Sequence, residues 1–265
     1  PLGIQVQARL DAAALGRDAD AAAYERKAAE VATAFHATFY HPETGLYGNG
    51  DQASQALALQ ENLVPTDLRA GVLDRFVQQI RAADDHIVVG EVGLYAAVDL
   101  LSRERLDDVL HDWVQRDDGV SYGKFLAAGA TSLPESWTSS GASQNHYMLG
   151  AIDSWFTGGV AGITQADDSV AWKKVVIEPA LVGDVESAAS SYESVRGTIS
   201  SSWVRTDGQV RLTATIPPNT TATVRVPAAE GVRVTTPTGA RRVASTVPGF
   251  AEFEVGTGTY TFITR

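Results

Sequence analysis

The stretch GATSLPESWTSSGASQNHYMLGAIDSWF, Gly129 to Phe156, decides how the rest of the chain reads. Apolar residues before it recur at a helical period, and those after it alternate at period two. Within it, Pro134 fixes φ and ends any regular element, so Glu135 falls on a loop between a Gly-Ala-Thr turn signal and Trp137. Asn145, His146 and Tyr147 then set three hydrogen-bonding side chains at the head of an apolar helical run, Met148 to Val160. A carboxylate, an indole and an imidazole on one loop are the parts of a sugar site, with a ring face for stacking, polar groups for hydroxyls and a base for water. The same residues also read as a solvated glutamate, a core tryptophan and a histidine capping a helix.

The chain of 265 residues carries 44% hydrophobic and 20% charged side chains, an ordinary globular composition with room for one large domain or two. Its formal net charge of −11 argues against nucleic acid and anionic membrane as partners, because both need a basic face. No apolar run approaches the roughly 18 residues of a membrane span, and no signal peptide is visible, so the chain reads as soluble with its compartment open. Cysteine is absent, which removes disulfides and thiolate metal sites. His86 and His111 lack the spacing of a zinc motif, and His36 and His41 read as helix-end residues, so neither metal nor cofactor is expected.

Upstream of Gly129 the chain reads as helices joined by short polar turns. From Asp20 to Phe39, Tyr24, Ala28, Val31, Phe35 and Phe39 mark one face to be buried. YHPETGLYGNGD breaks that helix, and Asp51 is placed to cap the next, Gln52 to Leu63. Another carries Leu68, Val72, Leu73, Phe76, Val77 and Ile80 on one face, and a further pair spans about Gly93 to Ser102 and Leu106 to Val114. Consecutive helices with brief connections pack as antiparallel hairpins.

Several of these segments resemble the inverting α-L-rhamnosidases of glycoside hydrolase family 78. GATSLPESW and NHYMLG stand where that family has a loop of the form G-A-T-T-x-W-E-x-W and an N-H-x-x-x-G helix. TGLYGNGDQASQALALQENLVP resembles its Y-G-x-G-x-Q-T-A-x-A-L-A-L segment leading to L-V-P, HIVVGEVGLYAAVDLL resembles H-L-T-T-G-x-x-G-T, and VSYGKFLAAGATS resembles P-S-[WF]-G-Y-M-x-x-G-A-T-T. The resemblance implies a toroid of six helical hairpins, an (α/α)6 barrel with its site at one rim. It puts Glu135 on the general base and His146 on a sugar-binding histidine, with Pro134 replacing the usual tryptophan. Trp137, Asn145, Tyr122 and Glu91 are the further expected substrate contacts. Glu91 stands out because it lies between Gly90 and Gly93, where the family has an uncharged residue.

About seven helices are countable between Ile4 and Ile163, short of the twelve that the resemblance implies. Residues 1–165 are therefore expected to be the C-terminal part of the barrel. In the family the proton donor lies on earlier helices, and an inverting glycosidase needs two carboxyl groups about 6.5–9.5 Å apart. The general acid is thus expected outside this chain. Asp84, Asp85, Asp117, Asp118, Asp167 and Asp168 read instead as caps and turn formers. A partial toroid would expose apolar helix sides, so the chain is expected to pack against the missing half, from the same gene product, a separate chain or a second copy.

After Ile163 the period changes. Val210, Leu212, Ala214 and Ile216 alternate with Arg211, Thr213 and Thr215, and Thr206-Asp207-Gly208 signals a hairpin. With strands at WKKVVIEP, ATVRV, VRVTT, AEFEV and TYTFIT, residues 166–265 are expected to form an antiparallel β-sandwich of about eight or nine strands. Its expected role is to brace the helices, and Tyr192 and Trp203 are its candidates for stacking on sugar. The overall expectation is an α+β multidomain chain removing terminal α-L-rhamnose from plant glycosides or polysaccharides with inversion. Two alternatives stand beside it: a non-catalytic fragment or interaction module of the same fold, and a polysaccharide lyase using Tyr122, His146 or Tyr147 as base.

Overall fold

The computed structural model describes residues 2–138 and 143–265. The chain divides into two compact units, one of residues Pro1–Arg103 and Asp112–Leu149, the other of Glu104–His111 and Gly150–Arg265. The first is helical. Helix α1 (Leu2–Ala14) lies along α2 (Asp18–Phe39), the two joined through Gly16 at φ +68°. A two-residue hairpin, β1 (Tyr40–His41) with β2 (Leu46–Tyr47), turns the chain into α3 (Gln52–Gln60), whose N-cap Asp51 accepts the Ser54 N–H at 2.7 Å. Then come α4 (Thr66–Ala82), α5 (Glu91–Arg103), α6 (Asp107–Gln115), whose first residues belong to the second unit, and α7 (Tyr122–Ala127).

Helix α3 packs on both α4 and α5, and Ala56, Leu59, Phe76, Ile80, Leu94, Val98 and Leu101 are buried there. Two buried glutamines on α3 fasten the loops around it. Gln55 accepts from the Tyr47 N–H at 2.8 Å and donates to the Tyr47 carbonyl at 3.0 Å. Gln52 accepts from the Val88 N–H at 2.7 Å and donates to the His86 carbonyl at 3.1 Å, so the segment entering α5 is fixed before it reaches the loop that carries Glu135.

Helix α2 departs from its expectation, since no residue of it is fully buried and Tyr24 and Phe39 are exposed. The helical period is right, but α1 shields only part of the stripe. The expected single helix Met148–Val160 is likewise three successive pitches, a 3₁₀ turn at Met148–Ala151, an α turn at Ile152–Trp155 (α8) and a π turn at Phe156–Val160. The last turn leaves no room for a side chain at Gly159, where a Cβ would meet Trp155 Cδ1 at 2.4 Å and Asp107 Oδ1 at 2.8 Å.

The second unit is a sandwich of two sheets. One runs β3 (Ile163–Gln165), β4 (Lys174–Ile177), β8 (Thr221–Pro227), β10 (Phe250–Val255) and β9 (Arg241–Val243). The other runs β11 (Gly258–Ile263), β7 (Gln209–Ile216), β6 (Gly197–Thr206) and β5 (Ser187–Ser194). The β6–β7 hairpin turns through Asp207 and Gly208, both at positive φ, as its sequence signals. Val210, Leu212, Ala214 and Ile216 all point inward. The sheets are not wholly antiparallel, because β4 pairs parallel to β8: the chain leaves after β4, builds β5–β7 in the opposite sheet and returns. The expected strand VRVTT shrinks to a single bridge, Val234 to Thr264.

Within this unit Asp107, at the start of α6, accepts the Trp155 indole N–H at 2.8 Å. Burial, aided by the charges of Glu178 and Asp108 and opposed by the Trp155 bond, pushes its carboxyl up from 3.8 to about 6. The folded chain therefore holds this proton more tightly than the unfolded chain, and the contribution to stability falls as pH rises through that interval. Asp107→Asn keeps the acceptor and cannot ionise. Its stability relative to the parent is expected to rise between pH ~4 and ~7 by at most about 3 kcal/mol, read by urea denaturation at both ends. A difference independent of pH would contradict this.

Candidate active site

Pro134 ends the segment after α7, and the chain then doubles back on itself. The Glu135 N–H donates to the Ser143 carbonyl at 2.8 Å, and the Ser143 N–H returns a bond to Glu135 Oε2 at 3.1 Å. One step outward, the His146 N–H donates to the Leu133 carbonyl at 2.9 Å, and the Ser132 hydroxyl donates to the Gln144 carbonyl. This ladder makes Ser132–Glu135 and Ser143–His146 the two arms of one loop. Glu135 is exposed with its backbone fixed, which suits a carboxylate that must meet water. A carboxylate accepts at several lone-pair positions, so the Ser143 bond orients it without filling it.

His146, partly buried, takes the Met148 N–H on Nδ1 at 3.3 Å, so the neutral ring carries its proton on Nε2 and presents a donor. Tyr147 stacks on it, centroids 4.9 Å apart and planes 24° from parallel. Asn145 is exposed, and its N–H and carbonyl share the Ser143 hydroxyl at 3.3 and 3.2 Å.

Glu91, far away in sequence, is brought to this loop. It opens α5, and its Oε1 accepts the Tyr147 hydroxyl at 2.8 Å. The bond and the negative charge of Glu91 raise the Tyr147 hydroxyl above its ordinary range, the reverse of what a tyrosine base requires. Two residues earlier, the Val89 carbonyl accepts the Trp137 indole N–H at 3.1 Å.

Tyr122 and Trp137 are placed differently from expectation. Tyr122 is only 7% exposed, and its hydroxyl donates to the Leu149 carbonyl at 2.5 Å. It sits in the core with its polar end bonded inside. Trp137 stacks on Phe125 with centroids 6.0 Å apart and 10° between planes, and meets Tyr122 and Trp113 edge-on at 5.4 and 5.6 Å. Its indole braces the loop from beneath. In the sandwich, Trp203 is 1% exposed with its N–H on the Val160 carbonyl, so it cannot stack on a ligand.

A helical unit carrying this loop, followed by a β-sandwich, is the arrangement of a six-hairpin glycosidase. Residues 5–160 match the bacterial alpha-L-rhamnosidase six-hairpin glycosidase domain, and residues 162–241 match the bacterial alpha-L-rhamnosidase C-terminal domain. The chain belongs to the bacterial alpha-L-rhamnosidase family. It is 33% identical over 253 residues to an alpha-L-rhamnosidase of Streptomyces avermitilis, covering 92% of this chain and 24% of that protein. The crystal structure of Streptomyces avermitilis alpha-L-rhamnosidase complexed with L-rhamnose superposes with a TM-score of 0.86 at 32% identity, over 97% of this chain and 25% of that one. The alpha-L-rhamnosidase from Dictyoglumus thermophilum superposes with a TM-score of 0.91 at 27% identity, over 100% of this chain and 31% of that one. The chain thus spans about a quarter of the length of the relatives it matches.

Proposed function

We propose that this chain is the base-bearing part of an exo-acting α-L-rhamnosidase, joined to its terminal sandwich, and that the protein carrying the whole barrel hydrolyses terminal α-L-rhamnosides with inversion. The observation that carries the proposal is the paired loop holding exposed Glu135 and the Nε2–H donor of His146 on one frame. Glu135 accepts a proton from the attacking water while His146 donates to a sugar hydroxyl, and Asn145 lines the same edge. The general acid comes from a segment outside this chain, on the remaining helices of the barrel. Those helices also cover the apolar side chains left open on the helical unit, among them Val88, Val92 and Tyr95 at 54%, 75% and 56% exposure.

The test is hydrolysis of para-nitrophenyl α-L-rhamnoside by the chain alone and by the protein carrying the whole barrel. Release of nitrophenol is expected only from the second, and in preference to other aryl glycosides. Full activity of the isolated chain would overturn the division of acid and base. No rhamnoside activity in the complete form would overturn the function and leave the non-catalytic module.

A further inference from the structure

Tyr147 is 80% exposed, so packing does not fix its ring. Two contacts do: the stack against His146, and the bond from its hydroxyl to Glu91 Oε1 at 2.8 Å. The backbone that carries Glu91 is itself held. It begins the thirteen-residue helix α5, where a negative charge is favoured at the N-terminus, and Gln52 on α3 holds the segment just before it. The same short segment grips the loop a second time, at the Val89 carbonyl that receives the Trp137 indole. The two staples fall two residues after Glu135 and one residue after His146. Both chemistry-bearing residues are therefore referenced to one tripeptide, Val89–Glu91.

We infer that Glu91 and Tyr147 form a positioning pair that sets the ring of His146, and through it the fit of the sugar, without themselves contacting substrate. This rests on the reading of His146 as a sugar-binding donor. The Glu91 carboxylate accepts the phenol, the phenol plane backs the imidazole, and the Met148 N–H on Nδ1 sets which nitrogen faces the ligand. Removing the bond frees the ring to rotate away and weakens binding, leaving the chemical step at Glu135 alone.

Tyr147→Phe keeps the stacked ring and removes only the bond. In the protein carrying the whole barrel it is expected to raise KM for an aryl α-L-rhamnoside about fivefold, with kcat within about twofold. Glu91→Ala is expected to match it, the double variant to be no worse than either single, and Glu91→Gln, which retains an acceptor, to restore most of the affinity. Parental KM in both single variants, or multiplicative losses in the double, would overturn the pairing. A loss in Glu91→Ala much larger than in Tyr147→Phe would mean that Glu91 touches sugar directly. The His146 ring resonances, followed by NMR in the same variants, decide the positioning without activity. They are expected to shift in Tyr147→Phe and Glu91→Ala and to return in Glu91→Gln. If the parent hydrolyses no rhamnoside, the function proposal fails while these shifts still confirm or refute the pair.

Discussion

Glu135→Gln is expected to lower kcat for an aryl α-L-rhamnoside by about 10³-fold with little change in KM, in the protein that carries the whole barrel. The amide oxygen can accept the Ser143 N–H that Glu135 Oε2 accepts, so the loop ladder survives, but the amide cannot take a proton from water. The variant should therefore fold with parental stability, since Glu135 is exposed and a surface change of this kind is worth about 0.5 kcal/mol or less. Loss of activity with intact folding separates a chemical role from a structural one. A variant turning over at the parental rate would remove Glu135 from the mechanism and leave its loop as scaffold.

The largest stability effect is expected at Arg225, which joins buried Glu252 and partly buried Glu178 in the sandwich unit. Its guanidinium donates to Glu178 Oε2 at 2.5 Å and to Glu252 Oε2 at 3.0 Å, and all three side chains are less than a fifth exposed. Burial works to raise the Glu252 carboxyl, yet the bonds from Arg225 and Thr246 hold it below its ordinary range. Arg225→Met fills similar volume but leaves Glu252 with only Thr246 and Glu178 with only Arg105 among the partners described here. An uncompensated buried carboxylate costs several kcal/mol, so a loss of about 3 kcal/mol is expected by urea denaturation. Arg225→Met combined with Glu252→Gln should recover much of it, because the stranded charge is gone. A single variant as stable as the parent would mean that water already solvates this cluster.

Periodicity made the helices and strands legible wherever one face is buried within the chain. Helix α4 is the clear case, with Val72, Phe76 and Ile80 inward as its spacing predicts. The same reasoning names the apolar stripe of α2 but cannot say what covers it, and its burial does not follow from its period. The break of Met148–Val160 into three pitches leaves no mark in the apolar spacing, and the close approach of Gly159 to Asp107 joins residues far apart in sequence.

At the candidate site, the closeness of Glu135 and His146 is legible because one loop carries both. The packing of Tyr122 and Trp137 is not, since an aromatic in a glycine-rich loop reads equally as platform or brace. In the fold the Leu149 and Val89 carbonyls take their polar atoms. Glu91 drew attention as a charge between glycines, but its partner Tyr147 lies beyond the reach of any local pattern and needed the fold to bring α5 to the loop.

The most direct test of the general-base assignment is chemical rescue by azide of Glu135→Ala in the protein carrying the whole barrel, with the product configuration read by proton NMR. An inverting site with its base removed admits azide on the face that water occupied, so the N–C1 bond forms as the C1–O bond of the aryl α-L-rhamnoside breaks. The account predicts that azide restores turnover and yields β-L-rhamnosyl azide. No rescue, or an azide of α configuration, would contradict it.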